Sequence, residues 1–93
     1  MTEKEPYRIK FNRAAARQLA KILPEKIATA AYEFIAGALK ANPRRLGKPP
    51  GSPLAPAWSA RRGEYRILHL IHEDQRLVEV TAIRYRGDAY RLV

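Results

Sequence analysis

Trp58 to Tyr85, WSARRGEYRILHLIHEDQRLVEVTAIRY, is the stretch from which the fold follows. Apolar and polar residues alternate along much of it with the period of two that marks a half-buried strand. Two breaks divide it, Arg62-Gly63 and the run from His72 to Gln75, both built from turn-forming residues. Three strands are therefore predicted, at about Trp58–Arg61, Glu64–Ile71 and Leu77–Tyr85. Connections this short make them an antiparallel meander. A hairpin turning at Arg62-Gly63 would pair Arg61 with Glu64, Ala60 with Tyr65 and Ser59 with Arg66. Paired residues share a face and successive residues alternate. Trp58, Ala60, Tyr65 and Ile67 then form one apolar set, while Ser59, Arg61, Glu64 and Arg66 gather on the opposite face.

Upstream, Tyr7, Ile9 and Phe11 alternate with Arg8 and Lys10 as a further strand. Asn12 offers an N-cap for a helix whose apolar face holds Ala15, Ala16, Leu19, Ile22 and Leu23. Pro24 suits the first turn of a second helix, along which Ile27, Ala30, Ala31, Phe34, Ile35, Ala38 and Leu39 recur at helical spacing. Asn42-Pro43 ends it, because the residue before proline avoids the helical region. From Arg44 to Pro56 the chain is an irregular, proline-rich loop carrying Arg44, Arg45 and Lys48. The order β-α-α-β-β-β predicts an α+β fold in one domain spanning residues 1–93. Its expected form is an antiparallel four-stranded sheet with a two-helix hairpin packed on one face. No helix remains for the other face, which should be open and concave.

Composition narrows the partners. Eighteen Lys and Arg against nine Asp and Glu give the 93 residues a net charge of +9. Eleven of those bases, against five acids, lie from Lys40 onward. So basic a small domain suits nucleic acid, an acidic protein or an anionic membrane. The 46% hydrophobic content fits a folded chain. The absence of cysteine excludes disulfides and thiolate metal sites and suits a reducing cytoplasm. No apolar run is long enough for a membrane span, and the N-terminus lacks a signal peptide's apolar core, so a cytoplasmic protein without a membrane role is expected.

Arg66 stands in a run, Tyr65 to Ile71, that reads as a central strand, where an arginine needs an anion or a carboxylate to meet. Near the C-terminus Arg84, Tyr85, Arg86, Asp88, Tyr90 and Arg91 cluster where the last strand gives out. Guanidinium binds phosphate bidentately, and both arginine and tyrosine stack on bases, so this interleaving suits RNA. A solvated basic tail, with Tyr85 or Tyr90 packed as a lid on the core, is the structural alternative. His69 and His72 fall on opposite sides of their strand; His69 reads as a hydrogen-bonded core residue and His72 as part of a turn. The acids after residue 40 are scattered, which speaks against a carboxylate metal site, and no glycine motif cradles a phosphate. Neither a metal nor a cofactor is expected, and any catalysis falls to Arg, Lys and Tyr.

Four segments together resemble the RelE-type toxins of the RelE/ParE toxin–antitoxin superfamily: Gly47-Lys48-Pro49-Pro50, Trp58-Ser59-Ala60-Arg61, Gly63-Glu64-Tyr65-Arg66-Ile67 and Arg86-Gly87-Asp88-Ala89-Tyr90. The N-terminal strand and helix pair match in order and length, and the Ala- and Arg-rich flavour is similar to actinobacterial members. The resemblance implies a toxin that cleaves mRNA in the ribosomal decoding site and is held inactive by an acidic RelB-like antitoxin. The mRNA's own 2′-hydroxyl attacks the adjacent phosphate, leaving a 2′,3′-cyclic phosphate and a 5′-hydroxyl. The resemblance places Arg66 on the scissile phosphate, with Arg61, Arg86 and Tyr90 beside it as catalytic residues. Arg44, Arg45, Lys48, Arg62, Arg84, Tyr85 and Arg91 are the expected RNA-binding set.

That chemistry suits those side chains. Negative charge gained by a pentacoordinate phosphorane is stabilised by fixed guanidinium groups. A tyrosine surrounded by arginines loses its proton more readily and so serves as the general base. Two departures stand out. Two lysines of the family's preceding strand fall at about Ala57 and Ser59, leaving Lys48, Arg61 or Arg62 to replace them. The chain also stops at Val93, where the family continues into a C-terminal helix. The competing readings are a ParE-type gyrase-inhibiting toxin of the same architecture and a non-enzymatic RNA-binding module.

Overall fold

The computed structural model describes residues 7–51 and 57–85. Strand β1 (Arg8–Phe11) leads through Asn12 into α1 (Arg13–Arg17). The Asn12 side chain accepts from the Ala15 amide at 2.8 Å, as an N-cap should. A π-helical turn, Gln18–Ile22, continues α1 to the break at Leu23-Pro24. Helix α2 (Glu25–Phe34) is likewise extended by a π-helical turn, Ile35–Leu39, before the short α3 (Pro43–Leu46). Strands β2 (Trp58–Arg62), β3 (Tyr65–His72) and β4 (Leu77–Tyr85) complete the fold.

The four strands form one sheet in the order β1-β4-β3-β2. The three C-terminal strands are antiparallel as expected, but β1 runs parallel to β4, pairing Arg8 with Leu77 and Phe11 with Val80. The sheet is mixed rather than wholly antiparallel. The proline-rich segment accounts for this. Lys48 bridges antiparallel to Ser59, with amide–carbonyl bonds of 2.8 and 3.1 Å in both directions. The chain therefore travels back along β2 before entering it. That extra pass reverses the sense of every later strand relative to a direct entry from the helices.

The hairpin register also differs from expectation. Arg62 pairs with Tyr65 and Arg61 with Arg66, so the turn residues are Gly63-Glu64 rather than Arg62-Gly63. Gly63 has φ of 59°, and a two-residue hairpin turn that needs a positive φ at its first central position takes glycine there. The slip is two residues, an even number, so the faces are preserved. Ala60, Tyr65 and Ile67 are buried, whereas Arg61 and Arg66 are exposed.

One side of the sheet packs on α1 and α2 through Ala15, Leu23, Ala31, Phe34, Ile35, Leu39, Ala60, Tyr65, Ile67, Val80 and Ile83. Tyr65 meets Phe34 edge to face and donates its hydroxyl to the Ala30 carbonyl at 3.1 Å. β1 pairs with β4 only as far as Val80, and Gln18 takes over beyond it. Its side-chain amide donates to the Ile83 carbonyl at 2.6 Å and accepts from the Ile83 amide at 2.8 Å. A side chain thus imitates the missing strand and satisfies β4's free edge.

His69 is wholly buried, as its place on the Ile67 side of β3 requires. Its ring stacks on Trp58, Nδ1 lies 3.3 Å from the Ile67 carbonyl, and Nε2 has no hydrogen-bond partner among the described residues. Burial lowers its pKa, partly offset by the Ile67 and Pro43 carbonyls. The unfolded chain binds this proton near pH 6.5, while the folded chain does so only at lower pH. The His69 contribution is therefore complete above about pH 6.5 and shrinks as pH falls below it, by up to about 1.4 kcal/mol per pH unit for one proton. Urea midpoints at pH 7.5 and 5.5 should show this loss, and His69→Leu should flatten it. The exposed Glu73, whose carboxyl is held below its usual range first by the Tyr7 hydroxyl and then by Arg44 and Arg76, titrates at more acid pH and leaves that window clear.

Candidate nucleic-acid interface

The helix-free face of the sheet carries a row of three arginines. Arg61 on β2 pairs with Arg66 on β3, and Arg66 pairs with Arg84 on β4. Laterally paired residues project from the same face, with strands about 4.8 Å apart. All three are exposed, and none makes a hydrogen bond or ion pair with another described residue. Like charges facing each other across strands are unfavourable, by up to about 1 kcal/mol per pair. Such a row is thus suited to an anion that bridges it, and guanidinium forks suit the oxygens of a phosphate.

One row along the same face lie Ser59, Leu68 and Ala82, and the bridge to Ser59 places Lys48 beside them. Lys48 is exposed but not loose, because both its backbone groups are bonded to Ser59. Farther along come Leu70, Glu79 and Lys10, then His72, Leu77 and Arg8. His72 Nε2 lies 3.0 Å from Glu79 Oε1, so the face's acid is already matched by a ring nitrogen. This pair and Lys10 were not foreseen as members of the surface. The alternation of β1 and β4 contained the signal, which needed the β1–β4 pairing to be read.

Other expected RNA contacts are placed elsewhere. Arg62 pairs with Tyr65, turns to the helix side and sets its guanidinium 5.4 Å from the Phe34 ring centroid. Tyr85 shares that side and packs against the core, which is the lid arrangement and not a stacking platform on the open face. Arg44, on α3, reaches Glu73 at 3.3 Å and covers the Trp58 ring at 5.4 Å, at the far end of the sheet from the arginine row. Glu73 also accepts from the Tyr7 hydroxyl at 2.7 and 2.8 Å. Arg45 is exposed on α3. Arg86, Tyr90 and Arg91 lie outside the described residues.

The mixed sheet backed by a helix pair is a fold shared with known proteins. The family model described as the ParE toxin of the type II toxin–antitoxin system parDE matches residues 9–90. The toxin RelE of Mycobacterium tuberculosis is 44% identical over 92 residues, covering 99% of this chain and 94% of that protein. The chain belongs to the ParE/RelE family of toxins. A second M. tuberculosis relative, the toxin RelG, is 42% identical over 86 residues, covering 92% of this chain and 98% of its own length. A chain of the M. tuberculosis RelBE2 toxin–antitoxin complex superposes with a TM-score of 0.81 at 40% identity, covering 88% of this chain and all of that one. The isolated Escherichia coli RelE toxin gives 0.67 at 14% identity, covering 94% and 99%, a likeness of fold. Within the family this chain is of the RelE type, a toxin of a type II toxin–antitoxin system. Among the described residues, no helix is long and apolar enough to cross a membrane.

Proposed function

We propose that this toxin is a ribosome-dependent mRNA endoribonuclease that needs no metal, and that a RelB-like antitoxin restrains it. The observation that carries the reading is the row Arg61–Arg66–Arg84, three guanidinium groups without a partner among the described residues, set across the bare face of the sheet. In this mechanism they hold the scissile phosphate and stabilise the charge it gains as the neighbouring 2′-hydroxyl attacks. Arg66, at the centre, contacts the phosphate; Arg61 and Arg84 flank it; Arg86 joins them and Tyr90 takes the 2′-hydroxyl proton. Lys48, Arg45 and Arg91 extend the contact to neighbouring phosphates. Among the described residues, no three His, Asp or Glu side chains stand together as metal ligands would.

The test is to map cut ends on translated messages. Cyclic phosphate and 5′-hydroxyl ends are expected, and cleavage should survive EDTA once magnesium has been returned to keep ribosomes intact. Ends bearing 5′-phosphate would point to metal-activated water and overturn the mechanism. The family model carries the ParE name, so gyrase inhibition is the second reading. Loss of supercoiling with messages left whole would establish it instead.

A further inference from the structure

His69 is a buried ionisable group that the ribonuclease reading does not use. Its ring lies against Trp58 of β2, with which it pairs, and opposite Val80 of β4. A third wall is the segment Pro43–Lys48, made of α3, Gly47 and Lys48. A Cβ on Gly47 would stand 3.2 and 3.3 Å from His69 Cε1 and Nε2 and 3.1 Å from the Pro43 carbonyl, so glycine lets the chain lie on the ring. Nε2 is thus covered by that segment, and it has no hydrogen-bond partner among the described residues. Of the charged side chains around it, Arg44 sits beyond the Trp58 ring at 5.4 Å, and Glu73 meets the segment from outside, through Arg44 at 3.3 Å. What acts on the imidazole itself is burial, with the Ile67 and Pro43 carbonyls as a partial offset.

These walls are held with unequal strength. β3 is paired along its length with β2 and β4. The segment hangs by less. Lys48 and Ser59 exchange two backbone hydrogen bonds, of 2.8 and 3.1 Å. Arg44 adds its contact with Trp58 and an ion pair to Glu73 in which both side chains are about half exposed, the kind of interaction that solvent weakens. A proton on a buried imidazole is costly until water or an acceptor reaches it. The segment is the wall that can give way, by a local opening that leaves the sheet intact.

We infer that Pro43–Lys48 is an acid-released strap: a proton on His69 lifts it from the sheet, and RNA bound at Lys48 holds it down. With the strap open, the imidazole takes up a proton near pH 6.5; with the strap closed it does so only at lower pH, so acid favours opening. Lys48 stands on the strap, one row from Arg61 across the bridge to Ser59. The two events are therefore linked: whatever closes the strap expels the proton, and acid weakens the hold on RNA. The response to acid stands on its own, and the link to RNA rests on the ribonuclease reading.

The test is amide hydrogen exchange of the free toxin, corrected for the intrinsic chemical rate, at pH 7.5 and 5.5 and over a series of low urea concentrations. Between these pH values the opening that exposes the Lys48 and Ser59 amides should rise about tenfold. It should respond weakly to urea, while central β3–β4 amides show the steep urea dependence of global unfolding. In His69→Leu the opening should be the same at both pH values. In the unsubstituted toxin the His69 ring resonances should change at the pH where the strap amide resonances do, a check that holds even if His69→Leu does not fold. A pH-independent opening, a rise that persists in His69→Leu, ring and strap changing at different pH, or a urea dependence equal to that of the core would each overturn the inference. At pH 5.5 a bound short oligoadenylate should slow exchange at Lys48 and Ser59 severalfold. Binding that leaves their exchange unchanged would overturn the link to RNA. Failure to bind at either pH would count against the ribonuclease reading, with the response to acid still decided by the amides of the free toxin.

Discussion

Arg66→Ala is expected to abolish growth arrest on induction, slowing message cleavage by about a hundredfold or more while the domain still unfolds cooperatively. The two halves of this expectation have different physical origins. Arg66 is the middle of the arginine row, so a bound phosphate loses its central donor when the side chain is truncated. The effect falls on the transition state, where the non-bridging phosphate oxygens carry most negative charge, so kcat should drop further than KM rises. Stability, by contrast, has little to lose. The side chain is exposed and has no described partner, and removing it relieves repulsion from Arg61 and Arg84. A urea midpoint equal to or slightly above that of the unsubstituted toxin is expected. Arg66→Lys should be intermediate, because an ammonium keeps the charge and loses the two-pronged geometry. A well-folded Arg66→Ala toxin that still arrests growth would remove Arg66 from the site.

Which parts of this surface could be read from the sequence depends on how local their causes are. Alternation along β2 and β3 set Arg61 and Arg66 apart from Ala60, Tyr65 and Ile67. That division survived a two-residue slip in the hairpin, because an even slip leaves parity unchanged. The same arithmetic applied to Arg62 and Tyr85 puts them with Ala60 and Ile83 on the helix side, and their charge and aromatic character had obscured it. The sense of β1 was not legible, because it is set by the number of passes the chain makes before β2. One of those passes is the proline-rich segment, which resembles a plain connector until Lys48 meets Ser59. Arg44 was unreadable for a similar reason: its Glu73 partner lies 29 residues away and comes near only when α3 packs beside the sheet. Arg86, Tyr90 and Arg91 lie past the described end of β4, so their roles rest on the family resemblance and on the neighbouring Arg84.

The rate at which the antitoxin associates should fall about tenfold or more between 50 and 500 mM salt, while its dissociation rate changes little. A +9 toxin with an unshielded basic face would otherwise bind RNA throughout the cell. The expected cover is an acidic antitoxin segment that orders as it wraps the toxin. The face offers two kinds of contact for such a segment. Arg61, Arg66, Arg84 and Lys48 attract it from a distance, which speeds encounter and is screened by salt. Leu68, Leu70, Leu77 and Ala82, each half-buried on the same face, offer the apolar anchors that hold it once docked. Charge pairs taken out of water return little net affinity, so the lasting attachment falls to those anchors. Leu70→Ser should therefore raise the dissociation rate, and Arg84→Gln should lower the association rate and its salt slope. The measurements are stopped-flow association across a salt series and dissociation by competition, with the antitoxin found by co-expressing neighbouring open reading frames. A dissociation rate that carries the whole salt dependence would contradict this division of labour, and a bound antitoxin that leaves Arg66 open to RNA, with toxicity intact, would contradict inhibition by covering.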